Sequence, residues 1–218
     1  RDGLSGEGVV VAIVDEGVEP DHEDLAANFN ASLSFDYLDQ DSDPSPFASG
    51  ESHGMAVAGI VAAEGNRLGA TGVAYQSRIA SLRALEDRFS NTLVTTTTMG
   101  EVLNHALQEV DIYNNSWGYV ASGGGNAVGF LNITASPTLQ TALENGVRLG
   151  RGGLGSIYVW AAGNSGDFGG DVNQDQLIAS PYTLSVGAIG DNGVRSDYSN
   201  RGAALHLTAP SSGNGGGI

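Results

Sequence analysis

The run Val9-Val-Val-Ala-Ile-Val14 carries no polar side chain and is rich in β-branched residues, with Gly8 before it and Gly17 shortly after. A strand with one wet face alternates apolar with polar residues. A strand apolar at every position must be covered on both faces, which points to a parallel sheet between helical layers. Further strands are predicted at 78–85, 112–117, 156–162, 183–189 and 204–208. Helices are predicted from His53 to 63, at 99–109 and at 137–149, with Ser52 as the N-cap of the first and the turn glycines Gly150, Gly152, Gly153 and Gly155 closing the third. Strand alternating with helix defines the expected fold: α/β, a three-layer, doubly wound, mostly parallel sheet flanked by helices.

One domain accounts for the length, because 218 residues at 40% apolar content can bury a core without staples. Neither an internal repeat nor a linker divides the chain, and no apolar run approaches the ~18 residues of a membrane helix. Glycine outnumbers proline 33 to 6 with no three-residue period, which excludes collagen and a proline-rich spacer. The 25 acidic and nine basic residues, every base an arginine, give a formal charge of -16. Nucleic acid and anionic membranes are therefore excluded as partners by repulsion. The acidic excess fits either solubility in a salty medium or a calcium-rich role. The absence of cysteine removes disulfides, zinc-thiolate sites and cysteine nucleophiles together. The chain opens at Arg1-Asp2 with no apolar leader, as a processed form or a piece of a longer precursor would.

Three polar residues stand where the predicted elements meet. Asp15 follows the first strand directly, at the carboxyl edge where open α/β sheets bind ligands. The sequence Asp15-Glu16-Gly17-Val18-Glu19-Pro20 is no phosphate turn, since it lacks the G-x-G-x-x-G pattern and its carboxylates would repel a pyrophosphate. His53 opens a helix of small residues, where the helix dipole disfavours the imidazolium and keeps the ring available as a base; a simple cap or surface histidine is the alternative. Asn164, in Ala161-Ala-Gly-Asn-Ser-Gly166, is either a turn asparagine or a neutral donor for a developing oxyanion. An Asp, a His and an Asn at the edge of one sheet together favour catalysis.

At these residues the chain resembles the subtilisin-like serine proteases, in their kexin and furin branch. Val11-Ala-Ile-Val-Asp15-Glu-Gly is similar to the family's aspartate motif, His53-Gly-Met-Ala-Val-Ala-Gly59 to its histidine motif, and 161–166 to its oxyanion-asparagine motif, in the family's order. The stretches 34–46, Tyr113-Asn-Asn-Ser-Trp-Gly118 and 150–160 are similar to the furin branch in particular. The resemblance implies that His53 takes the proton of a serine hydroxyl, Asp15 fixes its tautomer and Asn164 donates to the tetrahedral oxyanion. The family's nucleophile belongs to a Gly-Thr-Ser downstream of Leu205-His-Leu-Thr-Ala-Pro210, and no such triplet occurs in 1–218; Ser52 and Ser165 do not stand in that context. Residues 1–218 are therefore expected to be an incomplete catalytic domain, short at both ends and inert alone, with the serine on the remainder of the polypeptide.

The same resemblance implies two calcium sites. One comprises Asp36, Asp41 and Asp43, in an acidic segment whose like charges repel unless a cation joins them; a solvated loop is the alternative. The other takes the Asp24 carboxylate, the Asn66 side chain and the carbonyls of Glu64, Leu68 and Ala70, all hard oxygen donors that suit calcium. Substrate is expected to add as a strand against Ser116-Trp117-Gly118, with Asp175 and Glu16 as pocket acids selecting a basic residue. Ala121, Gly170, Asn200 and Arg88 stand where the branch has acids, so a dibasic preference does not follow. The expected protein is a secreted or periplasmic, bacterial, calcium-stabilised serine endopeptidase acting on peptides, with a propeptide or inhibitor as a further partner. The competing expectation is a non-catalytic peptide-binding module on the same fold.

Overall fold

The computed structural model describes residues 3–47, 50–85, 95–118 and 136–212. Among them, seven strands form one sheet in the order β2 (Phe35–Asp36), β3 (Arg78–Arg83), β1 (Val10–Asp15), β4 (Ile112–Asn115), β5 (Ile157–Ala161), β6 (Thr183–Ile189) and β7 (Leu207–Pro210). Every pairing in it is parallel. From β1 the chain crosses to the edge strand β2, returns to β3 beside β1, then crosses to β4 and winds outward to β7, so strand order reverses between β1 and β4. The crevice at the carboxyl ends of these two strands is where such a sheet binds ligands.

The all-apolar β1 is covered on both faces, as its composition demands. Val11 and Ile13 pack with Leu25, Ile79 and the small residues Ala58 and Ala62 of α1 (His53–Ala62). Ala12 and Val14 belong to the opposite cluster, with Met99 and Val102 of α2 (Thr96–Val102), Leu139 and Leu143 of α3 (Pro137–Gly153), and Tyr113, Tyr158 and Trp160. The result is three layers, helix on sheet on helix. Complete burial of a valine or isoleucine contributes ~1.5–3 kcal/mol, so β1 alone anchors much of the core. Coverage is uneven: on the α1 side, Ile157 of β5 and Leu184 of β6 remain substantially exposed.

Four local features differ from the sequence expectation. The acidic segment starts with the two-residue strand β2, too short to show a period. Ser52 sits at the N-cap of α1 but its side chain makes no cap bond. Helix α2 starts earlier than expected because the Thr95 side chain accepts from the Thr98 N–H, at 3.1 Å. It also ends earlier, at Val102, and Ala106, with a φ of 48°, bars the expected continuation to 109. Strand β7 is displaced toward the C-terminus, after a turn in which the Leu205 N–H bonds the Gly202 carbonyl. Helix α3 loses helical geometry at Gly150, Arg151 and Gly152, where the glycine-rich stop was expected. Residues Arg88, Ala121 and 213–218 lie outside the described residues.

Gly54, the second residue of α1, faces the turn after β1: a Cβ there would collide with the Gly17 carbonyl oxygen and stand 3.2 Å from the Asp15 Cβ. Helix propensity alone would make Gly54→Ala stabilising by up to about 1 kcal/mol. The collision should win. Thermal melting of the natural polypeptide is expected to show a loss of roughly 1–3 kcal/mol, and an unchanged or raised melting temperature would contradict this close approach.

Candidate active site

Asp15 ends β1 with no solvent exposure. Its carboxylate accepts the N–H of Glu16 at 2.9 Å and meets the His53 ring at Nδ1, at 2.9 Å from Oδ1 and 3.0 Å from Oδ2. The Asp15 carbonyl accepts from the N–H groups of Ala84 and Leu85, just beyond β3. The His53 side chain is half-exposed, at 53%. Its Nδ1 side is committed to a buried anion, so the exposed part is the rest of the ring. The hydrogen bond with Asp15 holds the His53 pKa above the ordinary imidazole range, burial opposing and the charges of Asp15 and Glu16 assisting. This corrects the expectation from the helix dipole alone: a carboxylate in direct contact outweighs half a unit of charge spread over a helix end.

Glu16 is half-buried, and one of its carboxylate oxygens lies 3.3 Å from the His53 backbone nitrogen. Burial, then repulsion from Asp15, raises its pKa. Beside this turn lies a residue that sequence reasoning passed over. Arg83, the last residue of β3 and paired in register with Asp15, is only 2% exposed. Its guanidinium donates to Asp36 at 2.6 Å and to Asp39 at 3.0 Å. A charged residue closing 79–82, apolar but for Ser81, was the available signal, since a strand in that register buries its end beside Asp15.

Asn164 is exposed and lies three residues beyond β5, two strands across from β1, hence about 10 Å sideways along the same carboxyl edge. It lines a cavity of about 310 Å³ with Asn114, Ser116, Ala161 and Pro210. Ser116 and Gly118 follow β4, between Asp15 and Asn164. Trp117 is buried there, its carbonyl accepting from the Trp160 indole N–H at 2.8 Å. Asp175 is half-buried and accepts the N–H groups of Leu177 and Ile178 through Oδ1. Ile178 is in turn the neighbour that Gly118 faces. Ser165 is buried with its N–H on the Asn200 side chain, and Ser52 is exposed.

Residues 64–70 fold around Asp24, which is buried. The Asp24 carbonyl accepts the Glu64 N–H and its Oδ2 accepts the Ala70 N–H, while Asn66 Oδ1 accepts the Leu68 N–H. Asp24 Oδ1 is left buried without a hydrogen-bond partner. The acidic segment is arranged otherwise. Asp36 is buried, with Oδ2 on Arg83 and Oδ1 on the N–H groups of Leu38 and Asp39. Asp41 and Asp43 are exposed and accept from residues two positions on, and bonds from Ser45 lower the Asp43 pKa. Among the described residues no three His, Asp or Glu side chains gather as a metal-holding group.

A family model described as the subtilase family matches residues 6–217. Human neuroendocrine convertase 2 is 37% identical over 195 residues, 88% of this chain and 29% of its own length. Kexin of Candida albicans is 33% identical over 214 residues, 97% of this chain and 21% of its own. The chain thus spans less than a third of these relatives. Among solved structures, the serine protease of Aeromonas sobria in complex with its chaperone superposes with a TM-score of 0.80 at 25% identity, over 96% of this chain and 37% of that one. No described helix is long and apolar enough to cross a membrane.

The Asp15 contact makes a signed prediction. NMR titration of His53 should give a midpoint above the ordinary imidazole range, and Asp15→Asn should bring it down. A folded pKa above the unfolded one means the bond's stabilisation is complete below the unfolded imidazole pKa and is lost as pH rises through the folded value. A midpoint unmoved by Asp15→Asn would rule out the contact as its cause.

Proposed function

The chain belongs to the subtilase family, and from that membership we propose that it is part of a serine endopeptidase that cuts peptide bonds by a Ser–His–Asp mechanism. The observation that carries this reading is the 2.9 Å contact between buried Asp15 and the Nδ1 of a half-exposed His53 at the sheet's switch point. With its Nδ1 proton held by Asp15, the ring has Nε2 free to take a proton from a hydroxyl, and the carboxylate stabilises the imidazolium that results. Asn164, along the same edge, offers its amide N–H to the oxyanion. A substrate strand pairing with 116–118 would run between them. Asp175, Glu16 and the charge of -16 favour a basic residue before the cut.

Residues 1–218 contain no Gly-Thr-Ser, and the nucleophile is assigned to the remainder of the same polypeptide. The uncovered strand face bearing Ile157 and Leu184, continuous with the cavity at Asn164, gives such a segment an apolar surface to pack on. A propeptide or inhibitor, and work in a secreted or periplasmic setting, go with this reading. A fluorophosphonate probe applied to the natural polypeptide is expected to label one serine. His53→Ala should abolish labelling, and Asn164→Ala should lower kcat by ~10²–10³. Absence of labelling would instead favour the non-catalytic peptide-binding module.

Calcium is proposed at Asp24, Glu64, Asn66, Leu68 and Ala70. The residues fit: a buried carboxylate oxygen without a partner is costly, and a hard divalent cation would satisfy it. The bound ion would tie the 64–70 loop to the segment before it. The acidic segment fits less well, because Asp36 already has Arg83 as its counter-charge. Chelation is expected to lower the melting temperature of the natural polypeptide by several degrees, and Asp24→Asn should remove that dependence. No shift on chelation would remove the calcium proposal.

A further inference from the structure

Helix α1 brings His53 to the edge of the sheet with no local means of fixing its own first turn. Its sequence, His53-Gly-Met-Ala-Val-Ala-Gly-Ile-Val-Ala62, has no acid in the first turn, and Ser52 makes no side-chain cap bond. The first N–H groups of a helix need partners from outside it. The carboxylate of Glu16 lies 3.3 Å from the His53 nitrogen, placed there by the turn that follows β1. The neighbouring residue, Asp15, holds the ring of the same histidine. One step on, Gly17 and Gly54 are in backbone contact. The residues 15–17 and 53–54 therefore interlock, Asp15 and Glu16 on His53 and Gly17 on Gly54.

We propose that Glu16 is a positioning residue for His53, capping the helix from across the fold so that two consecutive carboxylates hold the backbone and the ring of one histidine. The inference rests on the reading of His53 as the base. It differs from the role that the family resemblance gives Glu16, contact with a basic substrate residue. A carboxylate suits this place on physical grounds, since a negative charge at a helix N-terminus meets both unpaired N–H groups and the positive end of the dipole. The glutamate side chain is long enough to reach the helix from a strand end that already spends Asp15 on the imidazole.

The two roles separate on a neutral peptide, one with no basic residue before the scissile bond. In the natural polypeptide, Glu16→Ala should raise the hydrogen-exchange rate of the His53 amide by on the order of tenfold, the usual weight of a lost cap. It should lower kcat on the neutral peptide with KM unchanged. Glu16→Gln, which keeps an acceptor oxygen, should restore the exchange rate to near wild type. Ser52→Ala should leave both exchange and kcat alone. The proposal is overturned by wild-type exchange in Glu16→Ala, by an equal effect of Ser52→Ala, by failure of glutamine to restore protection, or by an effect confined to KM for basic peptides. If His53→Ala still hydrolyses peptide, the base assignment fails, while amide exchange still decides whether Glu16 holds the helix.

Discussion

A carboxylate with no exposure to water is the constraint around which this molecule is arranged. A carboxylate buried as Asp15 is would cost several kcal/mol in desolvation if left alone. Its compensation comes from three directions. The next residue along the chain gives an N–H, the imidazole of α1 faces both oxygens, and the backbone on either side is locked into β3 and β4. For the imidazole to arrive, α1 must approach β1 closely. That is why its packing face is built from alanine and why its second residue is Gly54.

A second internal charge pair lies in the next strand. Arg83 is in register with Asp15 and points to the acidic turn after β2, where Asp36 and Asp39 take up its guanidinium. The Gly17 turn packs directly on this side chain, 3.2 Å from an added Cβ at 17 to the arginine Cδ. Strand ends β1 and β3 thus carry opposite charges side by side, Asp15 matched by helix α1 and Arg83 by the acidic segment at 36–39. Repulsion among clustered aspartates does call for a cation, and for Asp36 and Asp39 the chain provides one of its own.

The parts of the fold that could be read from the residues are those fixed by local composition. β1, β3 and β6 start or end within a residue or two of expectation: in β1 an unbroken apolar run leaves the chain no choice about burial, and in β3 and β6 mostly apolar segments broken only by small polar residues or glycine act alike. The pairing of Asp15 with His53 was legible only through their motifs, since no periodicity relates positions 38 residues apart. What stayed hidden depended on contacts between distant segments. Arg83 falls within the expected strand 78–85, and only the sheet register shows its side chain to be buried beside Asp15. Ser52 looked like a cap by its type, yet its side chain makes no cap bond, and the carboxylate beside the first helical N–H is that of Glu16, which the fold delivers from elsewhere. Helix α2 was misjudged because the capping power of Thr95 and the left-handed turn at Ala106 are single-residue effects that a helical average conceals.

The sheet treats its two halves differently, and the difference bears on how precisely the edge can be aligned. Around β1 and β3 both faces are packed, and the small residues of α1 sit close enough that the position of His53 is fixed by backbone contact as well as by hydrogen bonds. Around β5 and β6, among the described residues, the face toward α3 is closed and the other is left partly exposed; on the closed face Trp160 is pinned by its indole bond to the Trp117 carbonyl and by edge contact with the Trp117 ring at 4.6 Å. Asn164 therefore inherits its place from a strand anchored on one side. Packing on the open face would restrict β5 in the way α1 restricts β1. On the proposed reading, the segment that brings the serine would also immobilise the strand that positions the oxyanion donor, so that nucleophile and donor become aligned in one step.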